Sequence, residues 1–346
     1  MACGHSSSCA ALAPGLSRHA GVREQARLHR RVEGCLRRVL ELRFAGSQGR
    51  CGSHMKIFSS AVALMAAGGL WAQDRFVAAP YSGNLEVNTG YSAGADIRLG
   101  TRELGNLDAT RTRLEYKGVF NPGAEFNWGV GVAYTRWDFG RDSGNPLPAN
   151  LQSVALPLTV SWRFREGWQA FGEVSPGLYS DFEQINGDDF NAPFIGGVGY
   201  TVNPDLQVFL SASVDPRRDI PVVGGPGVRW RFAEQWTLSL LLPRPQIQYR
   251  PSADWTFHVG AEMMGGAYHL NPNFGRDRGL AAMDDQMITY REIRTGVGAR
   301  WGGPKGFYAS LEGGWMIDRR FVLDDVRLQF NGDGAAYGQL AIGYRY

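Results

Sequence analysis

Residues 154–164 read Val154, Ala155, Leu156, Pro157, Leu158, Thr159, Val160, Ser161, Trp162, Arg163, Phe164. From Val154 onward every second side chain is large and apolar, and those between are small or polar. Successive side chains of an extended chain point to opposite sides, so this period of two describes a strand with one apolar face. A helix would gather its apolar residues every three or four positions, and this window does not. The alternation returns at Leu85, Val87, Thr89, Tyr91, Ala93, Ala95, Ile97 and Leu99, opposite Glu86, Asn88, Ser92, Asp96 and Arg98. It returns again at Phe126, Trp128, Val130, Val132 and Tyr134, and at Trp255, Phe257, Val259, Ala261 and Met263.

The connections alternate as well. Short turns rich in Pro, Gly, Asn or acidic residues fall near 121–124, 165–167, 203–205, 233–235, 251–254 and 302–306. Longer polar segments lie near 100–110, 139–150, 181–192, 215–223, 270–286 and 318–335, with a tight corner at Pro243, Arg244 and Pro245. Short turns at one end, long loops at the other and an even strand number are the layout of a transmembrane antiparallel up-and-down β-barrel, all-β, with about 14 strands. The pair 235–242 and 245–250 is the weakest, and without it the count falls to about 12. Trp128, Trp162, Trp168, Trp230, Trp236, Trp255 and Trp301 all sit beside the short turns. Amphipathic rings at one level read as an interfacial girdle rather than the core of a soluble sandwich.

The chain ends Gln339, Leu340, Ala341, Ile342, Gly343, Tyr344, Arg345, Tyr346, alternating to a terminal aromatic. This resembles the C-terminal strand of bacterial outer-membrane proteins. The resemblance implies recognition by the barrel-assembly machinery, and outer-membrane lipid and lipopolysaccharide as surroundings. Within that class, Val228–Phe232, Trp236–Pro245 and Gln248–Arg250 resemble uncharacterised barrel proteins with a domain of unknown function. That resemblance covers 73–346 and implies architecture and location, with no assigned site residues.

The chain before the barrel reads differently. All four cysteines (Cys3, Cys9, Cys35, Cys51) precede Met55, so the remainder carries no disulfide scaffold, thiolate metal site or Cys nucleophile. Residues 1–54 hold nine Arg against three Glu, so the head is basic while the whole chain is only +3. A basic nucleic-acid-binding body is thereby excluded. Met55 and Lys56 open an apolar run from Ile57 to Ala67, extending to Trp71 and Ala72, which reads as a signal peptide over 55–72. An export signal works at an N-terminus, so residues 1–54 read as an upstream segment outside the natural protein, with an Arg-rich targeting arm as the alternative.

Chemistry is sought in the lumen, which the polar face lines. Inward positions read from each strand are Arg98, Arg113, Lys117, Arg163, Arg229, Arg231, Arg250, Arg294, Arg300 and Arg345, against Glu86, Asp96, Glu115, Glu173, Glu262, Glu292 and Glu312. The excess of arginine favours a channel for small polar or anionic solutes, with Arg229, Arg231 and Arg163 leading its selectivity. The alternative is a structural, surface-anchoring barrel whose charges pair and fill the interior. A lipid-modifying enzyme would need His258 or His269 as a base, and neither has a recognisable partner in sequence. The chain is therefore read as not an enzyme. Gly196, Gly197 and Gly199 lie in a strand with no following helix, so no phosphate loop and no cofactor is expected. The acid pairs Asp188–Asp189, Asp284–Asp285 and Asp324–Asp325 match no calcium-loop spacing and read as solvated, so no metal is expected. Residues 321–330 are apolar for a loop and read as a hairpin extending the last two strands, with an inward plug as the alternative. The sequence leaves the oligomeric state open.

Overall fold

The computed structural model describes residues 81–123 and 125–346. The basic head and the segment read as an export signal, 55–72, lie outside them. The described chain forms a closed antiparallel barrel of 14 strands. In order these are β1 (Tyr81–Leu99), β2 (Arg102–Phe120), β3 (Phe126–Arg141), β4 (Asn150–Ala155 with Leu158–Arg165), β5 (Trp168–Val174 with Gly177–Ser180) and β6 (Phe190–Asn191 with Phe194–Asn203). There follow β7 (Leu206–Val214), β8 (Val222–Ala233), β9 (Trp236–Leu240), β10 (Gln246–Tyr249) and β11 (Trp255–His269). The last three are β12 (Met287–Trp301), β13 (Gly306–Leu323) and β14 (Leu328–Gly332 with Ala335–Arg345). Among the described residues no helix is long and apolar enough to cross a membrane.

Closure joins β14 to β1 in the register Asn84↔Arg345 through Ser92↔Tyr337. The terminal residue locks the seam, because Tyr346 and Gly83 exchange backbone bonds at 3.0 and 3.1 Å. A Cβ on Gly83 would lie 2.4 Å from the Tyr346 ring, so a side chain there would displace that ring. Proline interrupts three adjacent strands, since it has no N–H to give the ladder. The carbonyls of Pro157, Pro176 and Pro193 nevertheless accept from Gly131, Leu156 and Ser175 at 2.8, 2.8 and 2.9 Å, so the sheet continues across the breaks.

The outward face carries the apolar alternation. Val154, Leu156, Leu158, Val160, Trp162 and Phe164 are all exposed, as are the seven tryptophans beside the short turns. Such a band has a stable solvent only in hydrocarbon. The six short turns stand where the sequence places them.

Two sequence expectations are corrected. Residues 100–110 are not a loop: β1 and β2 run 19 residues each and meet in a tight hairpin at Gly100 and Thr101. Strands that long reach well past the roughly 9–11 residues a bilayer needs, and above it polar outward side chains are no longer penalised. Secondly, a bulge between Ser92 and Ala95 shifts the alternation by one. Ala95 and Ile97 turn inward and are buried, while Asp96 is exposed outward.

The connections fold over the loop end of the barrel and close it. Ile97, Leu107, Trp137, Phe139, Tyr290, Phe321 and Phe330 from the strands meet Leu147 from the 142–149 connection and Leu270, Phe274 and Met283 from 270–286 in one apolar core. Residues 321–330 are a hairpin, as expected, but its apolar face turns into this core, so the hairpin and the plug are one feature.

Candidate functional site

From the turn end inward, the lumen is built in layers. The first is a basic vestibule. The Arg300 and Arg345 guanidiniums lie 4.3 and 4.5 Å from the centre of the same Tyr308 ring, whose hydroxyl donates to Glu86 at 2.7 Å. Arg229 and Arg250 face the same space, and Arg163 stands exposed at the mouth. Cations over one π face share a favourable electrostatic site and keep most of their donors for other partners.

Paired charges make the second layer. Arg113 donates to Glu115 at 2.7 Å, and Lys117 of β2 bonds Glu173 of β5, three strands along the wall. On the other wall Glu312 accepts from Tyr337 at 2.8 Å, lies 2.9 Å from His258 Nε2 and bonds Arg244, which reaches Glu262 at 3.9 Å. Nearer the loop end, Glu292 is shared by Arg294 at 2.6 Å and Arg319 at 2.8 Å, with Tyr290 donating as well. These three charged side chains are 0–1% exposed. Above them rests the apolar plug, with Tyr290 T-shaped against Trp137 and Phe139 at 4.8 and 5.0 Å.

The structure thus places Arg113, Lys117, Glu173, Arg229, Glu262, Arg294, Arg300 and Glu312 on the inward face. Arg163 and Arg250 are exposed at the turn-end mouth. Arg98 is a correction: the β1 bulge turns it outward, where it pairs with Asp333. Arg231 is a second, because it bonds Asp205 of the neighbouring turn at 2.6 Å and belongs to the rim. Sequence reading missed Arg244, which enters from the tight corner, and Arg319, which one extra residue in its own strand β13, opposite the Ile293–Arg294 step of β12, brings inward. It also missed the partners of His269. This ring is 3% exposed, with Nδ1 2.8 Å from Asp189 and Nε2 3.2 Å from Asp285, acids that read as solvated in sequence.

The loop over the plug is tied by Asp284, whose carboxylate accepts from the Gly275 N–H at 2.8 Å, the Arg276 N–H at 3.0 Å and Arg276 Nε at 2.6 Å. Desolvation disfavours its charge, but these donors outweigh that and hold its pKa below the ordinary value. A depressed carboxylate stabilises the fold above its unfolded pKa, about 4, and that contribution is lost as pH falls through the folded value. The protection of amides 274–284 against hydrogen exchange, relative to their intrinsic rates, is therefore expected to fall between pH 5 and pH 3 by more than it does in Asp284→Asn. An equal fall in both proteins would refute the tie.

The family model described as a domain of unknown function, DUF6268, matches residues 124–335. The chain belongs to the DUF6268 family. No curated protein matches it by sequence. Among solved structures it is similar to an outer-membrane channel from Pseudomonas putida F1, with 10% identity, TM-score 0.42, 78% of this chain and 97% of that one covered. It is also similar to the P. putida toluene transporter TodX (7% identity, TM-score 0.40, 78% and 91% covered). A third is the translocator domain of the autotransporter NalP from Neisseria meningitidis (11% identity, TM-score 0.33, 78% and 89% covered).

Proposed function

We propose that this DUF6268 chain is an outer-membrane channel for small anionic or polar solutes, closed at its outer mouth by a plug carried on its loops. The observation that supports this most is the vestibule, where Arg229, Arg250, Arg300 and Arg345 face the turn-end opening with Glu86 as the carboxylate among them. Clustered guanidiniums raise the local anion concentration and bias passage toward anions. The orientation follows from the outer-membrane layout, with short turns on the periplasmic side and long loops outside. Export through a signal peptide at 55–72, insertion through the terminal strand, and lipopolysaccharide around the loop end complete this reading.

A plug made partly of loop residues can leave without breaking the wall, because Leu147, Leu270, Phe274 and Met283 belong to connections. The reading includes no enzymatic step. Among the described residues no serine or threonine hydroxyl bonds the His258 or His269 ring, whose bonded nitrogens face carboxylates.

The test is selectivity. With anions carrying the current, reversal potentials in a salt gradient should move toward cations in the Arg229→Glu, Arg300→Glu double variant. Unchanged potentials would refute the vestibule's role. A second reading, a filled structural barrel, is favoured by the buried triad Glu292, Arg294 and Arg319. It expects no current from any variant.

A further inference from the structure

Strands β9 and β10 hold five and four residues, fewer than the roughly 9–11 a strand needs to cross a bilayer. Beyond Leu240 and Gln246, toward the loop end, no strand stands between β8 and β11. Val222–Gly227 pair with β7 and not with β9, and the loop-end half of β11 pairs with β12 and not with β10. Open main chain at hydrocarbon depth has to be covered, and two segments do so. At the corner, the carbonyls of Pro243 and Pro245 accept from Met263 and Ala261 at 3.0 and 2.9 Å. The 215–221 connection straps across from β7. Its Arg218 pairs with Asp215 at 3.1 Å and donates to the Gly265 carbonyl at 3.1 Å, and its Asp219 N–H donates to Thr289 Oγ1 at 3.1 Å.

Between strap and strands lies a cavity of about 210 Å³. Its lining mixes both faces of the wall. Val223, Met264 and Tyr290 stand on the inward alternation, and Met263, Thr289 and Arg291 on the outward one. A continuous sheet cannot offer both faces to one cavity, so this space passes through the wall. Three charged residues line it: Arg218 is engaged as above, Arg291 pairs with Asp318 at 3.5 Å, and Asp219 is tied through its N–H. The rest is mainly aliphatic and thioether, and Ile220 and Leu242 are exposed to the outside.

We propose that this through-wall cavity is a binding site for a small, uncharged, mainly apolar molecule, entered from the membrane side, with the 215–221 strap as its cover. Desolvating an ion among mainly aliphatic and thioether side chains is costly, which favours an uncharged occupant. A dry aliphatic cavity of roughly 150 Å³ holds benzene, so this one has room for about eight non-hydrogen atoms. The site does not depend on the lumen conducting.

The probe is 4-fluorotoluene, added to the full chain in lipid nanodiscs with methyl-labelled methionine. The expected result is a saturable bound fluorine resonance distinct from the lipid-dissolved pool, displaced by benzene. Saturable shifts of the Met263 and Met264 methyls should accompany it, while Met316, two strands away on β13 and outside the cavity lining, stays still. Ser213→Phe, which fills the cavity, should abolish both signals, and Arg218→Ala, which frees the strap, should speed exchange between the two pools. A single lipid-dissolved resonance, or methionine shifts that grow linearly with probe, would overturn the proposal. So would a bound signal that survives Ser213→Phe. If that variant does not fold, the methionine titration of the unaltered chain decides alone.

Discussion

Phe274→Ala will release the outer plug. The Phe274 side chain is fully buried in the apolar core at the loop end, and its ring also carries the Arg278 guanidinium at 3.9 Å. Truncating a buried phenylalanine costs about 3–5 kcal/mol. The loss falls on a connection whose opening leaves the strand ladder intact, so it appears as local opening rather than global unfolding. Every 1.4 kcal/mol is tenfold in population, which makes the expected change about two to three orders of magnitude. Trypsin reads it directly, because Arg276 and Arg278 lie in the same loop. Cleavage there should accelerate by that amount in protein folded into vesicles, while the strands stay resistant. Cleavage at the unaltered rate would mean that Phe274 does not hold the loop.

Removal of the Glu292 carboxylate carries the largest cost to the wall itself. Glu292→Ala leaves Arg294 and Arg319, each 1% exposed, facing one another without a counter-charge. Breaking a buried ion pair from one side costs about 3–5 kcal/mol, because the surviving charge is desolvated and unpaired. Arg319 keeps the Leu107 carbonyl at 2.8 Å and Arg294 keeps Ser92 Oγ at 2.9 Å, but neutral acceptors do not replace the anion. Urea unfolding in lipid should show a midpoint lowered accordingly. The triple variant Glu292→Met, Arg294→Met, Arg319→Leu should recover most of the loss, since apolar groups of similar size need no partner. A single variant as stable as the unaltered chain would show that the lumen is wet enough there to solvate both guanidiniums.

Much of this architecture was legible because a barrel wall writes a period of two into its strands. The windows at 126–134, 154–164 and 255–263 stand with the expected face outward, and the tryptophans beside the turns form the exposed girdle. What the sequence hides is any place where the period slips. The bulge after Ser92 moved Asp96 and Arg98 outside, and the shift after Ile293 brought Arg319 in against Glu292. A single extra residue leaves the local pattern plausible on both faces, so only pairing with the neighbouring strand reveals it. The 100–110 segment failed for another reason. Above the bilayer a strand has no apolar outward face, and its polar residues read as a loop. The partners of His269 were out of reach because Asp189 lies 80 residues away in sequence. The plug left two local traces, the apolar run at 321–330 and the apolar Phe274 and Met283 within an otherwise polar connection.

On the channel reading, the outer closure opens when its loop residues leave. Planar-bilayer recording of residues 73–346 beside the same chain with 273–284 replaced by a short Gly-Ser linker reads this directly. Rare, brief openings are expected in the first and long, anion-biased openings in the second. Two folded proteins that never conduct would contradict that reading, and would identify the charge layers beneath the plug as a permanent filling.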